Sequence, residues 1–277
     1  MPLLQMNNYI TFPFYRNGKP LLNVTNTASM YPTCGMTVRS AGSMRFRWNE
    51  KNPVREKMLS AIARDFGENK TFVPVQLDHT HIVYDVSDAL DTDQKIGDGI
   101  ITTNQKLIPT VTVADCVPIF LYAPVKNGPD VFGIVHSGWK GTGIVSDAIK
   151  IGVEKYGALA EDFSVVIGPH IHDCCYIVNE ERAQFFMDNF TEECVRPLED
   201  GAKVDWNTGG GKLYRLSLAK ANLACLKKIG VPDDNIYVHT DCTSCNDIYG
   251  SNRRETKLSG RPDAFTVQAA FVCHPRA

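Results

Sequence analysis

Five short runs rich in Val, Ile, Phe and Tyr crowd the middle of this chain, at residues 71–76, 81–86, 107–113, 117–122 and 131–136. Runs of this length and composition read as strands, and five of them require one sheet or two stacked ones to bury their faces. Helical periodicity appears on both sides. Asn52-Pro53 offers a cap and a first-turn proline to a helix carrying Val54, Met58, Leu59, Ile62, Ala63 and Phe66, which Gly67 stops. Ile144, Val145, Ala148, Ile149 and Val153 mark a second helix ending at Gly157, and residues 179–190 a third. Ser217 caps a fourth, stopped by Gly230. Further strands are expected at 164–168, 235–239 and 265–272, and a polar glycine loop at 207–212. The fold class is therefore α/β or α+β, a layered sandwich of mixed sheets with helices outside. With no repeat or linker, residues 1–277 read as a single domain whose first 50 residues are irregular, with an N-terminal hairpin.

Charge and hydropathy limit the partners. The 29 Lys and Arg against 31 Asp and Glu give a net charge of −2, too little basic character to hold a nucleic-acid backbone, so a small molecule is expected. No apolar run approaches the roughly 20 residues that span a bilayer. The opening residues lack a basic segment followed by an apolar one, so a cytoplasmic location is expected.

Nine cysteines and seven histidines carry the chemistry. His79, Cys116 and His136 each lie at a strand end, 37 and 20 residues apart, which is no zinc-finger spacing. Two imidazoles and a thiolate from separate loops, with a fourth position open, are how catalytic zinc is held. The alternative is a buried core thiol and two hydrogen-bonded loop histidines. After His136 comes Ser137-Gly138-Trp139-Lys140-Gly141-Thr142-Gly143, running into a helix start where backbone N–H groups and the Lys140 charge suit phosphate.

These residues resemble the YfiH/laccase-domain family over about residues 70–272. The resemblance rests on Val113-Ala114-Asp115-Cys116-Val117-Pro118, on Val135-His136-Ser137-Gly138-Trp139-Lys140-Gly141, and on Ile167-Gly168-Pro169 with Cys174-Cys175-Tyr176. Asp241-Cys242-Thr243, Arg253-Arg254 and Gly97-Asp98-Gly99 resemble further family motifs. The resemblance implies the family's layered fold and a zinc-dependent purine nucleoside phosphorylase that also deaminates adenosine. Its metal ligands fall on His79, Cys116 and His136, with His79 preferred to His81. Cys116, His136 and Lys140 are then the candidate catalytic groups, and Lys140, Gly141, Thr142, Gly143, Cys175 and Arg254 the candidate substrate or phosphate contacts. The expected cofactor is Zn2+, with Cu2+ a possible adventitious occupant. The expected partners are a purine nucleoside and phosphate, with no nucleic acid or membrane, on a monomer or homodimer. The chain departs from the family in having Lys140 where an arginine is usual, and in one extra residue within Gln76-Leu77-Asp78-His79. Its match to an N-terminal arginine motif is poor around residues 30–37.

Other candidates read more plainly. His170 and His172 read as local loop histidines. Cys174 and Cys175 are neighbours that point opposite ways in extended chain, so one is expected in the core and one at the pocket. Cys242-x-x-Cys245 has a redox or zinc spacing but no second pair at zinc-ribbon distance. Asp98 and Asp115 suit acid–base, supporting or turn roles. Three rival functions stand beside the phosphorylase: a copper polyphenol oxidase, which needs about ten histidines and four coppers where this chain has 7 histidines; a peptidoglycan-editing factor acting on cell-wall precursors; and a non-enzymatic metal-stabilised binding module.

Overall fold

The structure is a computed structural model that describes residues 4–6, 8–23, 31–67, 69–199 and 211–275. Most of the expected glycine loop, at 207–210, lies outside the described residues, as does Met30. Two six-stranded mixed sheets dominate. The first runs in the order Leu4–Met6, Tyr9–Pro13, Thr33–Thr37, Gln268–Cys273, Leu107–Val113, Thr71–Pro74, with only the last pairing parallel. The second runs Ile236–Val238, Ser164–Ile167, Val117–Ala123, Val131–Ser137, Gly99–Thr102, Val83–Val86, parallel at its two outer pairings.

Alternation along the strands builds the layers. Ile10, Phe12, Met36, Val111 and Val272 of the first sheet meet Phe120, Tyr122, Phe132 and Ile134 of the second. The opposite faces bury helices. Met58, Leu59, Ile62 and Phe66 of helix α1, Pro53–Phe66, pack on Tyr9, Ile108 and Phe271. Ile119, Leu121 and Val165 take helix α2, Ile144–Tyr156, together with α4, Leu218–Ile229. Because Val117–Ala123 is covered on both faces, every residue in it is buried and its sequence reads as a continuous apolar run. A three-stranded antiparallel sheet, Ile177–Asn179, Leu213–Leu216, Val195–Pro197, lies with helix α3, Glu180–Asn189.

The capping chemistry is as expected. The Asn52 side chain accepts from Arg55 N–H at 3.1 Å, and Ser217 Oγ accepts from Lys220 N–H at 3.2 Å. The N-terminal part is more regular than expected. Besides the hairpin Tyr15–Arg16 with Lys19–Pro20, turned through left-handed Asn17 and Gly18, it supplies three strands of the first sheet. Thr33–Thr37 escapes a hydrophobicity reading because Gly35 sits at its centre, where a Cβ would fall 2.2 Å from the Phe271 ring. A fifth helix, α5 at Asn252–Ser259, was not anticipated, since it buries no residue and carries no apolar periodicity. Among the described residues no helix is long and apolar enough to cross a membrane.

Two crossings between the sheets position candidate ligands. The chain leaves the first sheet at Thr71–Pro74 and enters the second at Val83–Val86, and it does so again from Leu107–Val113 to Val117–Ala123. His79 and Cys116 sit on those two corners. Phe120 holds the sheets together between them, fully buried and edge-on to Phe12 at 5.2 Å. Phe120→Ala should cost about 3–5 kcal/mol in urea denaturation, whereas Leu258→Ala, at a position 77% exposed, should leave the midpoint unchanged.

Candidate metal centre

His136 closes the strand Val131–Ser137, and its partner across the sheet is Pro118, so the turn bearing Cys116 lies beside it. Asp115 adopts φ 82° and His79 φ 55°, left-handed conformations that are costly for residues other than glycine. Both are held there by carboxylates. Fully buried Asp98 accepts from the N–H groups of Asp78, His79 and Thr80, at 3.3, 3.1 and 2.6 Å, and from the Thr80 hydroxyl at 2.8 Å. Asp115 Oδ1 accepts from Thr243 Oγ1 at 2.7 Å, and its Oδ2 from Arg253 N–H at 2.6 Å.

The side chains of His79, Cys116 and His136 converge, with one donor atom from each within 4.8 Å of the others. Cys116 Sγ lies 3.7 Å from His79 Nε2, and the two imidazole rings meet edge-on at 4.9 Å. His136 Nδ1 is 2.7 Å from Asp98 Oδ1. A carboxylate there holds a proton on Nδ1, so that Nε2 is the nitrogen that would give up its proton and donate to a metal, the arrangement typical of metal-ligating histidine. Burial acts against every charge in the group, yet the neighbours outweigh it. His136 and His79 bring the Cys116 thiol down to about 6. Cys116 and Asp98 take His136 up to about 9. Asp98 stays below the ordinary carboxylate range through His136 and Thr80. The donor set fits a soft or borderline divalent metal and leaves room for a further ligand.

The glycine loop is shaped to this group. At Gly138 a Cβ would fall 2.4 Å from the His79 ring and 3.2 Å from Cys116 Sγ, so only glycine lets the backbone pass. Its other polar groups are mostly satisfied internally. Thr142 Oγ1 donates to Gly138 O at 2.9 Å, and Gly143 N–H donates to Asn222 Oδ1 at 3.2 Å, which leaves Lys140 as the exposed charge of the turn. Gly141 is buried where a Cβ would meet Thr80 O at 3.0 Å, so it too serves close packing. Lys140 Nζ lies 5.4 Å from the Trp139 ring, and the Arg182 guanidinium stacks on that ring at 4.1 Å. Tyr176 accepts from Arg182 at 3.5 Å and faces Arg253 at 5.7 Å. Arg182 is a candidate that sequence reasoning passes over; a cation three residues into a helix has no motif, and only the stack on Trp139 reveals it. Beside the loop opens a cleft of about 540 Å³, lined by Lys140, Thr142, Phe185, Phe190 and Lys228 among others.

Several candidates fall elsewhere. The exposed His81 pairs with Asp147 at 3.0 Å and is not one of the converging ligands. Arg254 turns its guanidinium to the main chain, donating to Thr243 O and Asn246 O at 2.5 and 3.0 Å and to Tyr249 O, so it clamps a loop. His170 is buried with Nδ1 2.7 Å from Gly168 O, and burial drives it down to about 3, keeping it neutral. The expected divergence of Cys174 and Cys175 is corrected. Residues 173–175 form a turn rather than extended chain, and both thiols converge with Cys242 and Cys245, which thereby gain the second pair that sequence spacing lacked.

A family model described as multi-copper polyphenol oxidoreductase laccase matches residues 47–268. The chain belongs to this family. Among laccase-family relatives, a protein of Geobacillus stearothermophilus named purine nucleoside phosphorylase YlmD is 33% identical over 172 residues, covering 61% of this chain and 58% of its own length. The match thus spans less than two thirds of that relative. The crystal structure of YlmD from Geobacillus stearothermophilus has a TM-score of 0.72 at 22% identity, covering 99% of this chain and all of the other. That of the Bacillus licheniformis hypothetical protein YfiH also scores 0.72, at 23% identity, covering 90% of this chain and 98% of its own. At these identities the two structures establish the laccase-family fold alone.

Asp98→Asn tests the arrangement. The substitution should weaken zinc binding at His79, Cys116 and His136 by about 10–100-fold in competition with a chromophoric chelator. In metal-free protein, alkylation of Cys116 should switch on as pH rises through about 6. In the variant the switch should move to higher pH, because a less basic His136 supports the thiolate less.

Proposed function

We propose that the chain is a zinc-dependent purine nucleoside phosphorylase, acting on adenosine, inosine and methylthioadenosine, with hydrolytic deamination of adenosine as a companion activity. The observation that carries the reading is the convergence of His79, Cys116 and His136, three donors where a four-coordinate catalytic zinc takes one further ligand, beside the Trp139 ring with its cations. The name of the Geobacillus relative supports it. Zinc held by these three residues would supply a Lewis acid able to polarise an oxygen and activate water.

The chain's own residues do the rest. Phosphorolysis asks the protein to hold an anion against the anomeric carbon of the ribose, so positioning and charge neutralisation dominate. Lys140 and Arg182, flanking Trp139, supply the charge; Arg182 adds the planar fork that Lys140 lacks. Trp139 offers an apolar ring to the nucleoside, and the neighbouring cleft, which shares Lys140 with the loop, is within the size range of small-molecule sites. Asp98 keeps the proton of His136 on Nδ1, away from the reacting side. For deamination, the same group would hold water against the purine ring.

The polyphenol oxidase reading in the family description meets a shortage of donors, since four coppers need about ten histidines and the sequence has 7. Zinc-loaded protein incubated with inosine and phosphate should release hypoxanthine and ribose 1-phosphate. Cys116→Ala should lose that activity along with zinc from the site. Full phosphorolysis by a Cys116→Ala protein, or phenol oxidation in place of phosphorolysis, would sink the assignment.

A further inference from the structure

The second cysteine cluster is built from two loops distant in sequence. Cys174 and Cys175 come from the turn after the strand Ser164–Ile167, and Cys242 and Cys245 from the turn after Ile236–Val238. These two strands are parallel neighbours in the second sheet, so their exits emerge side by side. The loops are then joined by a parallel bridge between His170 and Cys242, with Thr243 N–H donating to His170 O at 2.9 Å. Each loop is turned in the same way. His172 O accepts from both Cys175 and Tyr176 N–H, at 3.0 and 2.9 Å, and Cys242 O accepts from both Cys245 and Asn246 N–H, at 3.1 and 2.9 Å. The effect is to aim all four thiols at one point.

The spacing identifies what that point would take. Cys174 Sγ lies 3.8 Å from Cys175 Sγ and 3.7 Å from Cys245 Sγ; Cys175 Sγ lies 3.3 Å from Cys245 Sγ. Four thiolates at about 2.3 Å from a tetrahedral zinc stand roughly 3.8 Å apart along every edge. All four cysteines are free thiols, and all four sulfurs lie within 4.8 Å of one another, more convergence than a single disulfide would require. Main-chain support for a thiolate is already in place, since His172 N–H points at Cys242 Sγ at 3.3 Å. Arg253 lies close enough to Cys175 to feel its charge, which offsets part of the double negative charge of a zinc tetrathiolate.

We infer that Cys174, Cys175, Cys242 and Cys245 form a second, closed metal site of the zinc class, whose role is structural. Four protein ligands leave no position for substrate, unlike the open set at His79, Cys116 and His136. What the site fixes is the cradle of Asp115. Ile171 N–H, just before one cysteine pair, donates to Asp115 O at 2.9 Å, and Thr243, inside the other, donates to its carboxylate. Asp115 in its left-handed conformation presents Cys116, so the closed site holds the thiol of the open one in place.

Elemental analysis of the full chain, purified from zinc-supplemented cells without chelator, should find two equivalents of zinc, one for each group of ligands. A His79→Ala/His136→Ala protein should keep one equivalent, and on cobalt exchange should show strong thiolate-to-metal charge-transfer absorption. Cys242→Ser/Cys245→Ser should lose that equivalent. If that variant does not fold, alkylation mapping of the wild type decides: Cys174, Cys175, Cys242 and Cys245 should resist iodoacetamide together and become labelled together after chelation. A folded histidine variant free of zinc, a disulfide within the four in protein isolated under reducing conditions, or four thiols alkylated before chelation would overturn the inference.

Discussion

One buried carboxylate organises the candidate metal centre. Asp98 is wholly enclosed and would carry a prohibitive desolvation cost if unpaired, yet it accepts from five donors spread over Asp78, His79, Thr80 and His136. Those donors come from two segments that must be in place together: the corner leaving the first sheet and the end of the strand Val131–Ser137. The main chain repeats the connection, with His136 N–H on Asp98 O at 2.7 Å and Asp98 N–H on Ile82 O at 2.9 Å. The same hydrogen bonds thereby tie the second sheet to the ligands. The strained φ of His79 is balanced by the same hydrogen bonds that orient it.

The cysteines divide by chemistry once the layers are assembled. Cys34, Cys194 and Cys273 are buried in core positions, where burial raises their thiols and keeps them inert. Cys116 has the opposite environment, two imidazoles and a carboxylate behind one of them, and becomes acidic. Cys225 is half-buried on α4, its thiol likewise raised by burial, and the four at 174, 175, 242 and 245 belong to the loops that grip Asp115. Two groups of soft donors therefore lie on either side of one strained residue, an open group suited to chemistry and a closed one suited to holding shape.

Much of this was legible in the sequence. The strands at 107–113, 117–122 and 131–136 and the helices stopped at Gly67, Gly157 and Gly230 could be placed because both-face burial leaves long apolar runs and capping leaves Asn, Ser and Gly at fixed offsets. His79, Cys116 and His136 could be nominated because each borders a strand. Convergence of Cys174 and Cys175 with Cys242 and Cys245 was not legible, because it depends on the parallel pairing of Ser164–Ile167 with Ile236–Val238 and on a turn where extended chain was assumed. The surroundings of Arg254 were hidden for a related reason. A cation near a motif looks like a phosphate contact until its partners prove to be backbone carbonyls. Helix α5 was silent because its part-buried residues, Arg253 to Thr256, are polar and it carries a single large apolar side chain, the exposed Leu258.

Anomalous diffraction at the zinc edge from crystals of the zinc-loaded protein locates the metal. An anomalous peak is expected bonded to His79, to Nε2 of His136 and to Cys116 Sγ, at about 2.0–2.1 Å from nitrogen and about 2.3 Å from sulfur. Asp98 should stay outside the coordination shell, still bound to His136 Nδ1. A peak coordinated by Asp98 itself, or no peak between the two sheet corners, would contradict this ligand set.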